Sequence, residues 1–146
     1  MTEPTVTLFG PIDTILMPYV EYVLLLLVLA NLVTRKMEFE QIKTQAREGA
    51  GAISHHPAHL ATSWILVLTS LYYVTVHFHA GMVLSTLVLG TFGADFFEFE
   101  ARKVEARQDL TIEQPKAALV ISTLMFLYAA YDSLFFLIKD YWNLVV

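Results

Sequence analysis

Cysteine is absent from this chain of 146 residues, which excludes disulfide exchange, thiolate catalysis, iron-sulfur clusters and cysteine-based zinc sites. Charge is scarce as well: 16% of the residues are charged and 56% apolar, against about 25% charged in an average soluble domain. From Gly49 to Ala94 there is no Lys, Arg, Asp or Glu at all. The nine basic residues form no patch that could track a phosphate backbone, and the net charge of -5 opposes a nucleic-acid partner. The first ten residues lack Lys and Arg. The basic n-region of a cleavable signal peptide is therefore missing, and the first apolar run is expected to stay in the mature protein.

What the chain does contain is long apolar runs. As one helix the uncharged stretch would measure roughly 69 Å, more than twice the roughly 30 Å hydrocarbon core of a bilayer, so it must fold back on itself. The polar interruption His77-Phe78-His79-Ala80-Gly81 predicts the reversal, with one span over about 60–77 and the next over about 81–97. A first span is expected over about 18–34, after a polar-apolar tail (1–10) and a lead-in from Ile12 to Met17. Beyond it Phe39, Ile42 and Ala46 make a narrow apolar stripe on a charged helical extension that Gly49-Ala50-Gly51 should end. Ser54-His55-His56-Pro57 opens the second helix, with Ser or His as cap and Pro in the first turn. The third helix continues past Phe97 into a charged segment. Thr111-Ile112-Glu113-Gln114 then reads as a capping box, with Pro115 in the first turn of a fourth helix. Its span covers about 117–138, and Tyr141 and Trp142 follow as interfacial anchors. The predicted fold is all-α: one integral membrane domain, four transmembrane helices in an up-down bundle, with helical cytoplasmic extensions over 35–59 and 98–116.

The basic residues sort across these spans. None precedes the first; Arg35, Lys36, Lys43 and Arg47 follow it; none lies in the central turn; Arg102, Lys103, Arg107 and Lys116 follow the third; Lys139 alone lies at the far end. By the positive-inside rule both termini and the His77 turn face outward from a multi-pass protein of the cell membrane.

Five stretches, Glu21-Tyr22, Ala30-Asn31-Leu32-Val33-Thr34-Arg35, His56-Pro57, Asp95-Phe96-Phe97-Glu98-Phe99-Glu100-Ala101-Arg102 and Leu127-Tyr128-Ala129-Ala130-Tyr131, carry a likeness to known proteins. In them the chain resembles a family of small, uncharacterised four-span membrane proteins of haloarchaea, over nearly its whole length. The resemblance implies fold and cell type and carries no activity.

Ionisable residues inside spans are costly, about 2.5 to 3.5 kcal/mol at the helix centre on insertion scales, and there are three: Glu21, Asp95 and Asp132. An outer cluster of Glu21, His77, His79 and Asp132, with the phenols of Tyr22, Tyr72, Tyr73, Tyr128 and Tyr131 nearby, could serve as a proton or cation relay or a carboxylate-histidine metal site. A satisfied polar network that fixes helix register is the favoured reading, because buried polar groups usually find partners without doing chemistry. An inner cluster joins His55, His56 and His59 to Asp95 and Glu98. Capping and headgroup contact are favoured there over a metal, and no metal, cofactor or catalytic residue is assigned. Gly81 with Ser85, and Thr86 with Gly90 and Ala94, are spaced by four. Small residues at that spacing let membrane helices approach closely, within one chain or between two. His56-Pro57, a hairpin and Glu98 also resemble part of the motif of membrane methyltransferases of the isoprenylcysteine and phospholipid type. The Arg and Tyr of that motif are His here, its paired glutamates are separated, and its usual Gly is absent.

The function expected is structural or accessory: a protein of the lipid bilayer that packs against another membrane component or itself. Proton or cation translocation is the alternative, and a divergent methyltransferase-like enzyme a more distant one.

Overall fold

The computed structural model describes residues 14–145. The tail over 1–10, the start of the lead-in, and the Tyr141 and Trp142 side chains read as anchors lie outside what is described. The fold is all-helical, with no strand among the described residues. Beyond a helical stretch over 14–16, the described residues form four long α-helices: α1 (Val20–Ala46), α2 (Pro57–Val76), α3 (Phe78–Arg107) and α4 (Lys116–Val145). A 3-10 turn over Met17–Tyr19 leads into α1, and it holds Pro18 ahead of the helix proper, where the missing N–H breaks no helical bond.

Each junction has a local cause. After α1 ends at Ala46, Gly49 adopts φ +116, a conformation that side chains rarely tolerate, and a 3-10 turn over Ala50–Ala52 follows. The Gln45 side chain then accepts from the Ser54 N–H at 3.0 Å and donates to its hydroxyl at 3.1 Å, which fastens the returning chain to α1. His56 caps α2, its Nδ1 accepting from the Ala58 N–H at 3.2 Å, with Pro57 as the first helical residue.

Two junctions differ from expectation. The reversal between α2 and α3 is tighter than the pentapeptide 77–81: only His77 leaves the helical conformation, and α3 starts at Phe78. Backbone bonding runs almost unbroken through it, from His77 N–H to the Tyr73 carbonyl and from Gly81 N–H to the His77 carbonyl, both at 2.8 Å. Gly81 makes this possible, because a Cβ there would lie 2.8 Å from the carbonyl carbon of Tyr73 and closer still to the backbone of Val74. The capping box at Thr111 does not form, since α4 begins only at Lys116. The Glu113 N–H is taken by the Glu105 carboxylate at 3.2 Å and the Glu113 carbonyl by Arg102. The acid that caps α4 comes instead from α3, where Glu98 accepts from the Ala118 N–H at 2.9 Å. It satisfies a first-turn donor and places a negative charge at the helix N-terminus.

Consecutive helices pack side by side, and α1 also packs on α4, which leaves α1 opposite α3 and α2 opposite α4. Leu24, Val28, Leu66, Leu84 and Met125 fill the middle, each at most 2% exposed. A smaller core of Ile42, Ile53 and Phe99 lies under the charged extensions, with Ala46 packed on it, so the apolar stripe of α1 is used there. Three helical stretches, Pro57–Val76, Phe78–Arg107 and Lys116–Phe135, are long and apolar enough to cross a membrane. In α1 the charges of Glu21, Arg35 and Lys36 interrupt such a stretch. Large apolar side chains face outward along all four helices, among them Leu26, Leu68, Leu89 and Leu127, the reverse of a soluble protein's surface.

Candidate functional site

Buried ionisable side chains gather at two ends of the helical core. The first end is built on one face of α1. Asn31, Arg35, Glu38 and Ile42 recur at intervals of four, three and four, so helical periodicity turns all of them inward, and all are buried. Arg35 pairs with Asp95 of α3 across the diagonal and donates to Asn31 Oδ1 at 3.0 Å. His59 of α2 completes the group, its Nε2 3.3 Å from Asp95 Oδ2 and its Nδ1 3.0 Å from the Thr34 hydroxyl. Asn31 donates to Ser63 at 3.0 Å and Thr62 at 3.1 Å. Three helices thus share one network, in which a guanidinium balances a carboxylate.

Of the inner residues named from sequence, His59 and Asp95 meet directly. His55 lies 3.4 Å from Glu38 and stacks on Phe99 with ring centroids 3.7 Å apart. His55 and His59 line one cavity of about 90 Å³ with Glu38 and Asp95. No group of three or more His, Asp or Glu among the described residues has the geometry to hold a metal ion. His56 and Glu98 are occupied as helix caps, so the two residues that carry the methyltransferase likeness serve the ends of α2 and α4. Sequence reasoning missed Asn31, Thr34, Arg35 and Glu38. The signal was present: an amide inside an apolar run, with polar residues three, four and seven positions on.

The second end surrounds the His77 turn. His77 Nε2 lies 3.1 Å from Glu21 Oε2, the Tyr73 hydroxyl donates to Asp132 across the other diagonal, and the Ser133 hydroxyl donates to the Glu21 carbonyl at 3.0 Å. Glu21, His77 and Asp132 therefore share one end, while His79 is exposed on the first turn of α3. Among the tyrosines, Tyr73 is wholly buried, whereas Tyr22 and Tyr131 face outward.

Between these ends lies the apolar layer of Leu24, Val28, Leu66, Leu84 and Met125. Glu21 and Asn31 are ten residues apart on α1, about 15 Å at helical rise. The cavity beside Asn31 is about 10 Å³, room for about one water. The buried hydroxyls within it, Ser70 and Ser85, bond to carbonyls of their own helices, and Ser122 has no partner among the described residues, so these hydroxyls do not join the two ends by hydrogen bonds.

The small residues of α3 divide. Gly81 and Ser85 are buried against neighbouring helices, whereas Thr86 and Gly90 face outward and Ala94 is half-buried. A Cβ on Gly90 would meet only the Ile121 side chain at 3.9 Å, and one on Gly93 nothing within 4 Å.

The chain belongs to the DUF7313 family, a domain of unknown function whose sequence profile matches residues 3–146. Comparison with curated proteins and with solved structures finds no match.

Proposed function

From membership in a family that carries no assigned activity, and from the geometry of the helices, we propose a small integral membrane protein of structural or accessory type. Its four helices cross the bilayer up and down, and it packs against another membrane component. For α1, the support is that Glu21 has His77, Arg35 has Asp95, and Lys36 is exposed where a long side chain can reach the headgroups. The orientation rests on the basic residues, eight of nine of which fall on the Arg35 side, making that side cytoplasmic and both termini external.

The observation that carries the accessory role is the outward face of α3. A glycine inside a helix costs roughly 1 kcal/mol relative to alanine, and packing within this chain gives Gly90 and Gly93 no reason to be glycine. A neighbouring transmembrane helix, approaching closely over Thr86, Gly90 and Gly93, supplies that reason. Purification of the full chain in mild detergent should recover a stoichiometric companion, or a second copy, that Gly93→Leu releases while the melting temperature is unchanged. Recovery of the wild type as a lone monomer in several detergents would overturn the reading. Proton or cation movement would have to cross the apolar layer. Proteoliposome flux that Asp132→Asn and Glu21→Gln abolish would favour it over the accessory role.

A further inference from the structure

A cavity of about 370 Å³ lies between α1 and the start of α4, with the Arg35 network forming part of its wall. That is within the roughly 300–1,000 Å³ typical of sites for small ligands. Its wall changes character along α1. Leu32 and Leu119 line it, Arg35 and Lys36 come one turn further along α1, and Phe39, Glu40 and Lys43 one to two turns beyond those. Lys43 is paired with Glu40 at 2.9 Å, but Lys36 pairs with no acidic group among the described residues. Arg35 is 4% exposed, and although its terminal nitrogens are matched, its buried Nε–H has no acceptor among the described residues. The cavity wall also includes Gln114 and Pro115, directly ahead of the first residue of α4, whose N-terminus is capped by Glu98.

We propose that this cavity holds one anionic phospholipid. The headgroup phosphate sits against Lys36, with Lys43 beside it, and an acyl chain leaves past Leu32 and Leu119 toward the outward apolar surface of α1 and α4. Charge complementarity selects this occupant: Arg35 is matched by Asp95 and Lys43 by Glu40, which leaves Lys36 as the unmatched charge in a wall that also carries Leu32, Phe39 and Leu119, and that suits an amphiphile with a negative head. A free anion would leave the apolar part of the wall uncovered, and a neutral or zwitterionic lipid would leave Lys36 unbalanced. The proposal rests on the membrane reading above and on the Arg35 side facing the cytoplasmic leaflet.

The test uses the purified full chain in zwitterionic micelles, titrated separately with phosphatidylglycerol, phosphatidylcholine and inorganic phosphate. Retained lipid is read by native mass spectrometry and the melting temperature is recorded alongside. One phosphatidylglycerol should bind saturably and raise the melting temperature, with phosphatidylcholine and inorganic phosphate ineffective. Lys36→Gln with Lys43→Gln should weaken that binding by roughly tenfold or more, while Lys103→Gln, on the far extension, should leave it unchanged. Equal retention of both lipids, or indifference to the double substitution, would overturn the lipid site. Saturation by inorganic phosphate alone would overturn the lipid as occupant. Insertion of the same protein into pure phosphatidylcholine vesicles, checked by resistance to alkaline extraction, separates the two claims. Failure to insert sinks the membrane reading, and insertion without a phosphatidylglycerol preference sinks only this site.

Discussion

The two polar ends of this molecule solve the same problem with different chemistry. At the Arg35 end a half-buried carboxylate, Asp95, meets a buried guanidinium that stays charged at every accessible pH, with His59, Asn31 and Thr34 arranged around the pair. At the His77 end two buried carboxylates meet an imidazole and a phenol, groups whose charge depends on protons or is absent. Both ends use a polar pair to span a diagonal: Arg35 with Asp95 joins α1 to α3, and Tyr73 with Asp132 joins α2 to α4. The difference teaches that the diagonals, where packing brings the helices least together, are where register is held by polar groups. A permanent ion pair makes one end rigid in its requirements and leaves the other end more forgiving.

The largest effect is expected from breaking the permanent pair. Asp95→Ala leaves the Arg35 guanidinium buried without its carboxylate and should lower stability by about 3–5 kcal/mol, read by denaturant titration in micelles. Arg35→Met combined with Asp95→Leu should recover most of that loss, and a double variant as unstable as the single one would show that the two residues are not coupled. An intermediate effect belongs to the other diagonal. Tyr73→Phe keeps the ring and removes the hydroxyl donated to Asp132, and should cost about 1–3 kcal/mol; restoration by Asp132→Leu on the same background would assign the cost to the orphaned carboxylate. The smallest effect should come from His77→Gln. That ring is 41% exposed, and a glutamine keeps a donor within reach of Glu21, so the change should stay under about 1 kcal/mol. A loss from His77→Gln as large as that from Asp95→Ala would erase the contrast between the ends.

Much of this architecture was legible from residues alone. The uncharged run had to fold back because its length exceeds a bilayer, and the helices before and after His77 follow. The Gly49 turn and the His56-Pro57 helix start were visible because caps and breakers act over a few residues. The candidate site was legible in its members and not in its pairings. Glu21, His77 and Asp132 were expected together, and His59 with Asp95, but Arg35 was counted as a basic residue that sets orientation, and its buried contact with Asp95 was not anticipated. The capping box at Thr111 illustrates the opposite error: a local motif of the right spacing lost to Glu98, an acid from another helix that reaches the same end of α4.

By itself the sequence determined that the chain is helical, where its apolar runs reverse, and which charges must be accommodated near them, because helix formation, capping and the cost of burying charge are set by neighbours within a turn or two. Only the tertiary structure decided which partner each buried charge meets, that Gly81 admits a neighbouring backbone while Gly93 meets nothing within 4 Å, and that a mainly apolar layer lies between the two polar ends. Those outcomes depend on how the four helices are rotated about their axes. Side chains far apart along the chain settle that rotation jointly, and no local spacing records it.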